Sequence, residues 1–184
     1  MADSEYFPVQ DSVLSAQAIA ERVLPAYGLA SPYTCKFFRK GICDTYQTES
    51  AAGGFYLKVY RAGRRSLLDV REEVRLLNHL LEQGVSVVRP VPRLDGELVN
   101  ELAAPEGPRY AALFHAVEGE GERTDQHRQA FGAAVACMHA AADLLTPSYS
   151  RQPLDMEALI EENMVHIQPL MEHRPEDYRV IRAI

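Results

Sequence analysis

The chain has 184 residues, of which 47% are hydrophobic, so it is long and apolar enough to bury a sizeable core. It has no apolar run of roughly 18 residues, no basic start of the signal-peptide kind, and three cysteines without disulfide or metal spacing, so we expect a cytoplasmic protein with no membrane partner. The net charge of −7 combines +5 in residues 33–93 with −12 elsewhere, which favours polyphosphate near the basic segment and argues against a nucleic-acid partner. The alternative is that these basic side chains only keep the segment solvated.

The first predicted element is a helix over residues 15–26. Ile19, Val23 and Tyr27 recur on one face of this helix, and turn residues end it. We expect it to belong to an N-terminal helical extension, residues 1–32, and to pack over a sheet.

Three strands are predicted next. Residues 33–38 and 45–48 have strand composition and flank a turn at Gly41. Gly53-Gly54 is typical of a hairpin and connects the second strand to a third over residues 55–60. A strand, a glycine turn and two further strands therefore follow each other within 28 residues.

The third strand carries a lysine between aromatic residues. Its period of two sends one set of side chains to one face and a second set, with Lys58 at its centre, to the other. The first set is Phe55, Leu57 and Val59, and the second is Tyr56, Lys58 and Tyr60.

A helix with a charge in its apolar stripe follows the third strand. Ser66 begins it in the manner of a capping box, and the stripe comprises Val70, Val74, Leu77 and Leu81. Glu73 lies inside this stripe, and a buried carboxylate needs a partner. We therefore predict an ion pair between Lys58 and Glu73; the alternative is that both charges reach solvent separately.

The remaining elements complete a sheet and begin a helical part. Asp95-Gly96 predicts a hairpin between residues 91–94 and 98–101, and a turn at residues 105–108 leads into a strand over residues 110–115. We expect an antiparallel sheet of about five strands with one inserted helix. Helical periodicity then begins near Thr124, with an apolar stripe of Phe131, Val135, Met138, Ala142 and Leu145.

This order of elements resembles a known superfamily. A strand, a glycine loop, a strand, a lysine strand and a glutamate helix are the layout with which protein-kinase-like enzymes grip ATP phosphates. The chain is similar to the aminoglycoside phosphotransferase and choline kinase-like superfamily, and within it to the homoserine kinase type II or bacterial stress-response kinase branch. The resemblance covers the N-terminal part of such proteins and implies an α+β fold with a protein-kinase-like N-lobe.

The resemblance also implies nucleotide-binding residues. Residues 41–46 look like the glycine loop, with Cys43 where asparagine is usual, and residues 111–119 look like the last strand and the hinge. In this comparison Phe114 lies behind the adenine, and the backbone of two hinge residues binds it. The complete implied set is Gly41, Asp44, Lys58, Glu73, Phe114, His115 and Val117.

The catalytic loop of the superfamily is not found in this sequence. None of the six histidines is followed by Gly-Asp, so we expect residues 118–184 to form a hinge and an incomplete helical C-lobe after a nucleotide-binding N-lobe of residues 33–117. The implied function is the ATP-binding portion of a kinase that transfers the γ-phosphate to a hydroxyl of a small molecule or protein, with Mg ligands in the missing part. The chain alone is then expected to be inactive and to self-associate through its C-lobe helices. A non-catalytic binding module with a kinase-like fold is the alternative.

Overall fold

The computed structural model describes residues 11–119, 124–147 and 155–183, and it has a mixed α+β architecture, as the sequence predicts. Six strands form one antiparallel sheet in these ranges: β1 (Tyr33–Lys40), β2 (Cys43–Ser50), β3 (Gly53–Tyr60), β4 (Pro90–Val91), β5 (Asn100–Ala104) and β6 (Gly107–His115). The α-helices of the same ranges are α1 (Ala16–Arg22), α2 (Leu67–Glu82), α3 (Asp125–Ala142), α4 (Glu162–Ile167) and α5 (Pro175–Arg182).

The strand order is β1-β2-β3-β6-β4, and β5 also pairs with β6. The hairpin predicted between residues 91–94 and 98–101 is wrong, because β4 and β5 lie one after the other along the same edge of β6. The nine residues of β6 provide enough edge for both strands. The Asp95-Gly96 turn separates two valines that are buried in different cores, Val91 on one face of the sheet and Val99 on the other.

Strand β3 contributes to both cores, as its period of two predicts. Phe55, Leu57 and Val59 are buried on the face covered by α1 and the short 3-10 helix Leu24–Tyr27. Tyr60 is buried on the opposite face against valines of α2. The sheet therefore lies between two helical layers, and the lysine of β3 belongs to the α2 side.

Helix α2 begins and ends where the sequence predicts. The Ser66 hydroxyl accepts a hydrogen bond from the Asp69 amide at 3.1 Å, and the Asp69 carboxylate accepts one from the Ser66 amide at 2.9 Å. This capping box satisfies amides that have no partner inside the helix. Val70 and Val74 are fully buried, so Glu73 between them lies on the side of α2 that faces the sheet.

A buried ion pair crosses the end of the sheet on the α1 side. Asp44 of β2 and Arg109 of β6 are both 0% exposed, and the Arg109 Nη2 atom lies 2.6 Å from the Asp44 Oδ2 atom. Arg109 also donates to the backbone oxygens of Tyr60 at 3.1 Å and of Ser12 at 2.8 Å. One guanidinium thus joins β2, β3, β6 and the segment before α1.

The described residues fall into two compact units, Met1–Tyr149 and Ser150–Ile184. Helix α3 belongs to the unit that contains the sheet, where it packs against α2. The second unit contains α4 and α5, with a π-helical segment Glu157–Glu161 before them and a 3-10 segment Gln168–Met171 between them. The boundaries predicted after residues 32 and 117 stay predictions.

Helix α3 has the predicted start, and its apolar stripe is covered only in part. The Thr124 hydroxyl accepts a hydrogen bond from the His127 amide at 3.2 Å and so caps the helix. Leu145 is buried just beyond the end of the helix, whereas Phe131 near the middle is 71% exposed. Within residues 11–119, 124–147 and 155–183, no helix is long and apolar enough to cross a membrane.

Replacing Arg109 by Met should lower the free energy of unfolding by about 3–5 kcal/mol, because it leaves the buried Asp44 carboxylate with only the more distant Arg61 guanidinium, whose Nη2 atom lies 3.7 Å from the Asp44 Oδ1 atom. Urea denaturation followed by circular dichroism measures this loss. The matched control is Arg128→Met, which breaks a pair with Asp125 on the exposed surface of α3 and should leave the midpoint near the wild-type value. Equal midpoints for Arg109→Met and the wild-type protein would show that the buried pair does not stabilise the fold.

Candidate functional site

The predicted ion pair between strand and helix is confirmed. The Nζ atom of Lys58 lies 2.6 Å from the Oε1 atom of Glu73. The Tyr60 hydroxyl donates to the same Oε1 atom at 2.7 Å, and Lys58 Nζ lies 4.8 Å from the centre of the Tyr60 ring. The Lys58 and Glu73 side chains are 36% and 22% exposed, so the pair is formed at the edge of a core and remains reachable from solvent.

The face around Lys58 is partly open and borders the glycine turn. Strand register places Thr45 of β2 directly beside Lys58, and Cys43 beside Tyr60. The β1–β2 turn at Gly41-Ile42 immediately precedes these residues, and Ile42 is 83% exposed. The turn that the sequence predicts to approach phosphates therefore lies at the end of the strand pair that presents the lysine.

Cys43 is sheltered next to the ion pair. Burial, the largest cause, raises the pKa of its thiol; the positive charge of Lys58 opposes this shift, and the negative charge of Glu73 adds to it. A raised pKa keeps the sulfur protonated at neutral pH, which argues against a role as a thiolate nucleophile. Cys43 is better described as a small side chain that fills the space beneath the turn.

The hinge residues lie at the end of β6. Phe114 is buried with Tyr60 and the α2 valines, and it pairs with Tyr56 of β3 in register, so it belongs to the face of Lys58. The amide of His115 donates to the Arg89 oxygen at 3.0 Å, so this amide already has a partner in the sheet. Val117 is exposed just beyond β6. Binding of adenine by the backbone at His115 and Val117 stays a prediction.

The side chain of Asp44 lies away from the other predicted site residues. In register it is opposite Val59, and this places it on the α1 face of the sheet, whereas Lys58 is on the α2 face. Its carboxylate is fully buried against Arg109. We therefore correct the expectation for this residue: its carboxylate supports the sheet, and only its backbone near Gly41 remains a candidate for phosphate contact.

Two contacts on this face are missing from the sequence prediction. Alternation along β3 does place Tyr60 beside Lys58, but it does not show that the hydroxyl would reach Glu73. The register of β1 shifts between Phe37 and Arg39, and the Phe38 ring lies 5.4 Å from that of Tyr56. This contact joins β1 to β3 across β2, so it depends on how the three strands pair, which the residues of one strand do not specify.

No group of three or more His, Cys, Asp or Glu side chains that could hold a metal ion is present in the part of the chain that the structure describes.

The comparisons with known proteins identify the class of this chain. Residues 34–180 match the family described as the phosphotransferase enzyme family, which is most of the chain. The chain belongs to this family, and the predicted kinase-like superfamily is confirmed.

Relatives extend well beyond the length of this chain. An uncharacterized protein of Synechocystis sp. is 31% identical over 95% of this chain and 49% of its own length, and one of Deinococcus radiodurans is 37% identical over 92% and 49%. The homoserine kinase of Rhizobium meliloti is 31% identical over 66% of this chain and 37% of its own length. The chain thus spans about half the length of the first two relatives.

Solved structures of low sequence identity share the fold. A microcompartment-associated aminopropanol kinase has a TM-score of 0.66 at 20% identity, over 88% of this chain and 58% of that protein. An amicoumacin kinase in complex with AMP-PNP, Ca²⁺ and Ami has a TM-score of 0.60 at 21% identity, over 83% and 53%. The protein-kinase-like fold predicted from the sequence is therefore confirmed.

Replacing Gly41 by Ala should leave the free energy of unfolding unchanged. Gly41 does not have a positive φ, and an added Cβ would meet only the Cys43 oxygen, at an ordinary 3.5 Å. The matched control is Gly53→Ala, where φ is +121° and the substitution should destabilise the protein by about 1 kcal/mol or more. Thermal and urea unfolding measure both variants; a destabilised Gly41→Ala would mean that the turn needs glycine for its own backbone.

Proposed function

We propose that this chain is the ATP-binding portion of a kinase-like phosphotransferase that transfers the γ-phosphate of ATP to a hydroxyl group. The single observation that carries the proposal is the 2.6 Å contact between Lys58 and Glu73 on a partly open face beside a glycine turn. A lysine on the third strand, oriented by a helix glutamate, is the arrangement that binds ATP phosphates in protein-kinase-like enzymes.

The geometry supports phosphate binding by three contributions. Glu73 holds Lys58 from the α2 side, and the exposed part of the ammonium group keeps N–H donors for an anion. The backbone at Gly41 lies without a side chain in front of it, which allows a phosphate to approach closely. The basic segment, residues 33–93, adds a field that attracts polyphosphate. A divalent ion such as Mg²⁺, bound together with ATP, would neutralise phosphate charge.

The acceptor is proposed to be a small-molecule hydroxyl in preference to a protein hydroxyl. Support comes from the similar proteins, which include a homoserine kinase and an aminopropanol kinase. We further propose a cytoplasmic location, since Cys35, Cys43 and Cys137 are free thiols of the kind that a reducing compartment preserves.

Mg·ATP should raise the melting temperature of the wild-type chain, because a ligand that binds only the folded state stabilises it. Lys58→Met should remove most of this rise by deleting the charge that faces the phosphates. Arg22→Met, which deletes an exposed positive charge from α1, on the other side of the sheet and outside residues 33–93, is the control and should retain the rise. Differential scanning fluorimetry measures the melting temperatures, and isothermal titration calorimetry measures the affinity for Mg·ATP. Gly41→Ala should weaken binding without changing the melting temperature of the free protein.

The competing function, a non-catalytic interaction module with a kinase-like fold, makes the opposite prediction. Such a module would show no melting-temperature rise with Mg·ATP, and Lys58→Met would match the wild-type protein. The expected absence of phosphoryl transfer by this chain alone stays a prediction. It is checked by measuring ADP release with candidate hydroxyl acceptors, and Lys58-dependent release would contradict it.

We also propose that the chain self-associates through its helices after the sheet. Phe131 on α3, and Val165 and Leu170 in the second unit, are large apolar side chains that are mostly exposed. Exposed apolar patches of a few hundred Å² are typical of interaction surfaces. These side chains are exposed in the structure, and we propose that a second copy of the chain covers them.

Light scattering of the purified chain should give a mass above the 20.6 kDa of one copy. Phe131→Ser should shift this mass towards one copy, because it removes an exposed apolar ring from α3. Ile42→Ser, which removes a still more exposed apolar side chain from the β1–β2 turn, should not. A monodisperse single copy at all concentrations would contradict the proposal.

A further inference from the structure

Tyr60 contacts both members of the candidate phosphate-binding pair. Its hydroxyl donates to Glu73 Oε1 at 2.7 Å, and its ring lies 4.8 Å from Lys58 Nζ. The oxygen that accepts the Tyr60 proton is the same oxygen that contacts the lysine, at 2.6 Å. One carboxylate oxygen is therefore shared between an ammonium donor and a phenol donor.

Tyr60 is also held more firmly than either partner. It is 2% exposed, whereas Lys58 and Glu73 are both partly open to solvent. Its backbone oxygen accepts a hydrogen bond from the fully buried Arg109 at 3.1 Å, and its ring packs among the apolar residues beneath α2. Tyr60 thus contacts the buried Asp44–Arg109 pair through its backbone oxygen and the Glu73 carboxylate through its hydroxyl.

We propose that Tyr60 is a positioning residue, which holds the Glu73 carboxylate ionised and in place so that Lys58 stays directed at its ligand. The inference rests on the proposed function only where it concerns nucleotide affinity. When an anion draws the lysine away from Glu73, the phenol still donates to the carboxylate, and α2 keeps its position against the sheet. Tyr60 does not touch the nucleotide and takes no part in phosphoryl transfer.

The physical basis is a hydrogen bond to the charged form of an acid, which favours that form and lowers its pKa. Lys58 and Tyr60 from β3 and Cys43 from β2 are among the groups that face Glu73, and on its own helix Asp69 lies one turn earlier. Removing the Tyr60 hydroxyl deletes one donor and leaves the other groups unchanged. The pKa of Glu73 should then rise, and its hold on Lys58 should weaken.

The test compares Tyr60→Phe with the matched control Tyr56→Phe, which removes a hydroxyl from the same face of β3 four residues earlier. Both variants keep the aromatic ring and should fold. Carbon-13 NMR titration of the Glu73 carboxyl in the free protein should show a higher pKa in Tyr60→Phe and the wild-type pKa in Tyr56→Phe. Calorimetry should show Mg·ATP affinity about three- to tenfold lower in Tyr60→Phe alone, the effect of one lost hydrogen bond.

A purely structural tyrosine would lower the melting temperature without moving the pKa of Glu73, so an unchanged pKa overturns the inference. A second measurement needs no variant: the Tyr60 Cζ resonance of the wild-type chain should follow the Glu73 titration, and independence of the two also overturns it. The proposed function fails separately, if the wild-type chain binds no Mg·ATP while the Glu73 pKa still responds to Tyr60→Phe. In that outcome the positioning role stands.

Discussion

The structure depends on a guanidinium that has no access to water. Arg109 is fully buried, and its donors bind the Asp44 carboxylate and the backbone oxygens of Tyr60 and Ser12. A buried charge without partners would cost several kcal/mol, so these contacts must form together if the sheet is to close. The pair thereby fixes β2, β3 and β6 relative to each other and attaches the segment before α1. The strands that carry the Lys58 face are therefore held in position by these contacts.

The Asp44–Arg109 and Lys58–Glu73 ion pairs have different roles because they are buried to different extents. Solvent does not reach the Asp44–Arg109 pair, so the pair can support the fold but cannot contact a ligand. The Lys58–Glu73 pair is partly exposed, so water screens it and it contributes little to stability. In the proposed function its lysine exchanges water for a phosphate. Tyr60 connects the two, with its backbone oxygen bound to the first and its hydroxyl to the second. Support of the fold and the proposed phosphate binding thus lie on opposite faces of one sheet.

The chain's membership of the phosphotransferase enzyme family and its kinase-like fold agree with this separation of fold support from the proposed binding face. The residues around Lys58 do not define the substrate. The first two relatives are about twice as long as this chain. The face around Lys58 is therefore best studied first as a binding site, by affinity and by the protonation of Glu73.

The sequence by itself determined the local features whose causes lie within a few residues. Alternation in β3, the capping box at Ser66 and a stripe interrupted by Glu73 were sufficient to predict the pair with Lys58, whereas the superfamily was inferred from a resemblance in the order of elements and motifs. Only the tertiary structure decided the features that join distant segments. Asp44 and Arg109 are 65 residues apart, and their pairing assigned Asp44 to the opposite face from the lysine. The β1 bulge and the shared edge of β6 likewise depend on how whole strands pack, because a strand's own residues do not specify which neighbour it meets.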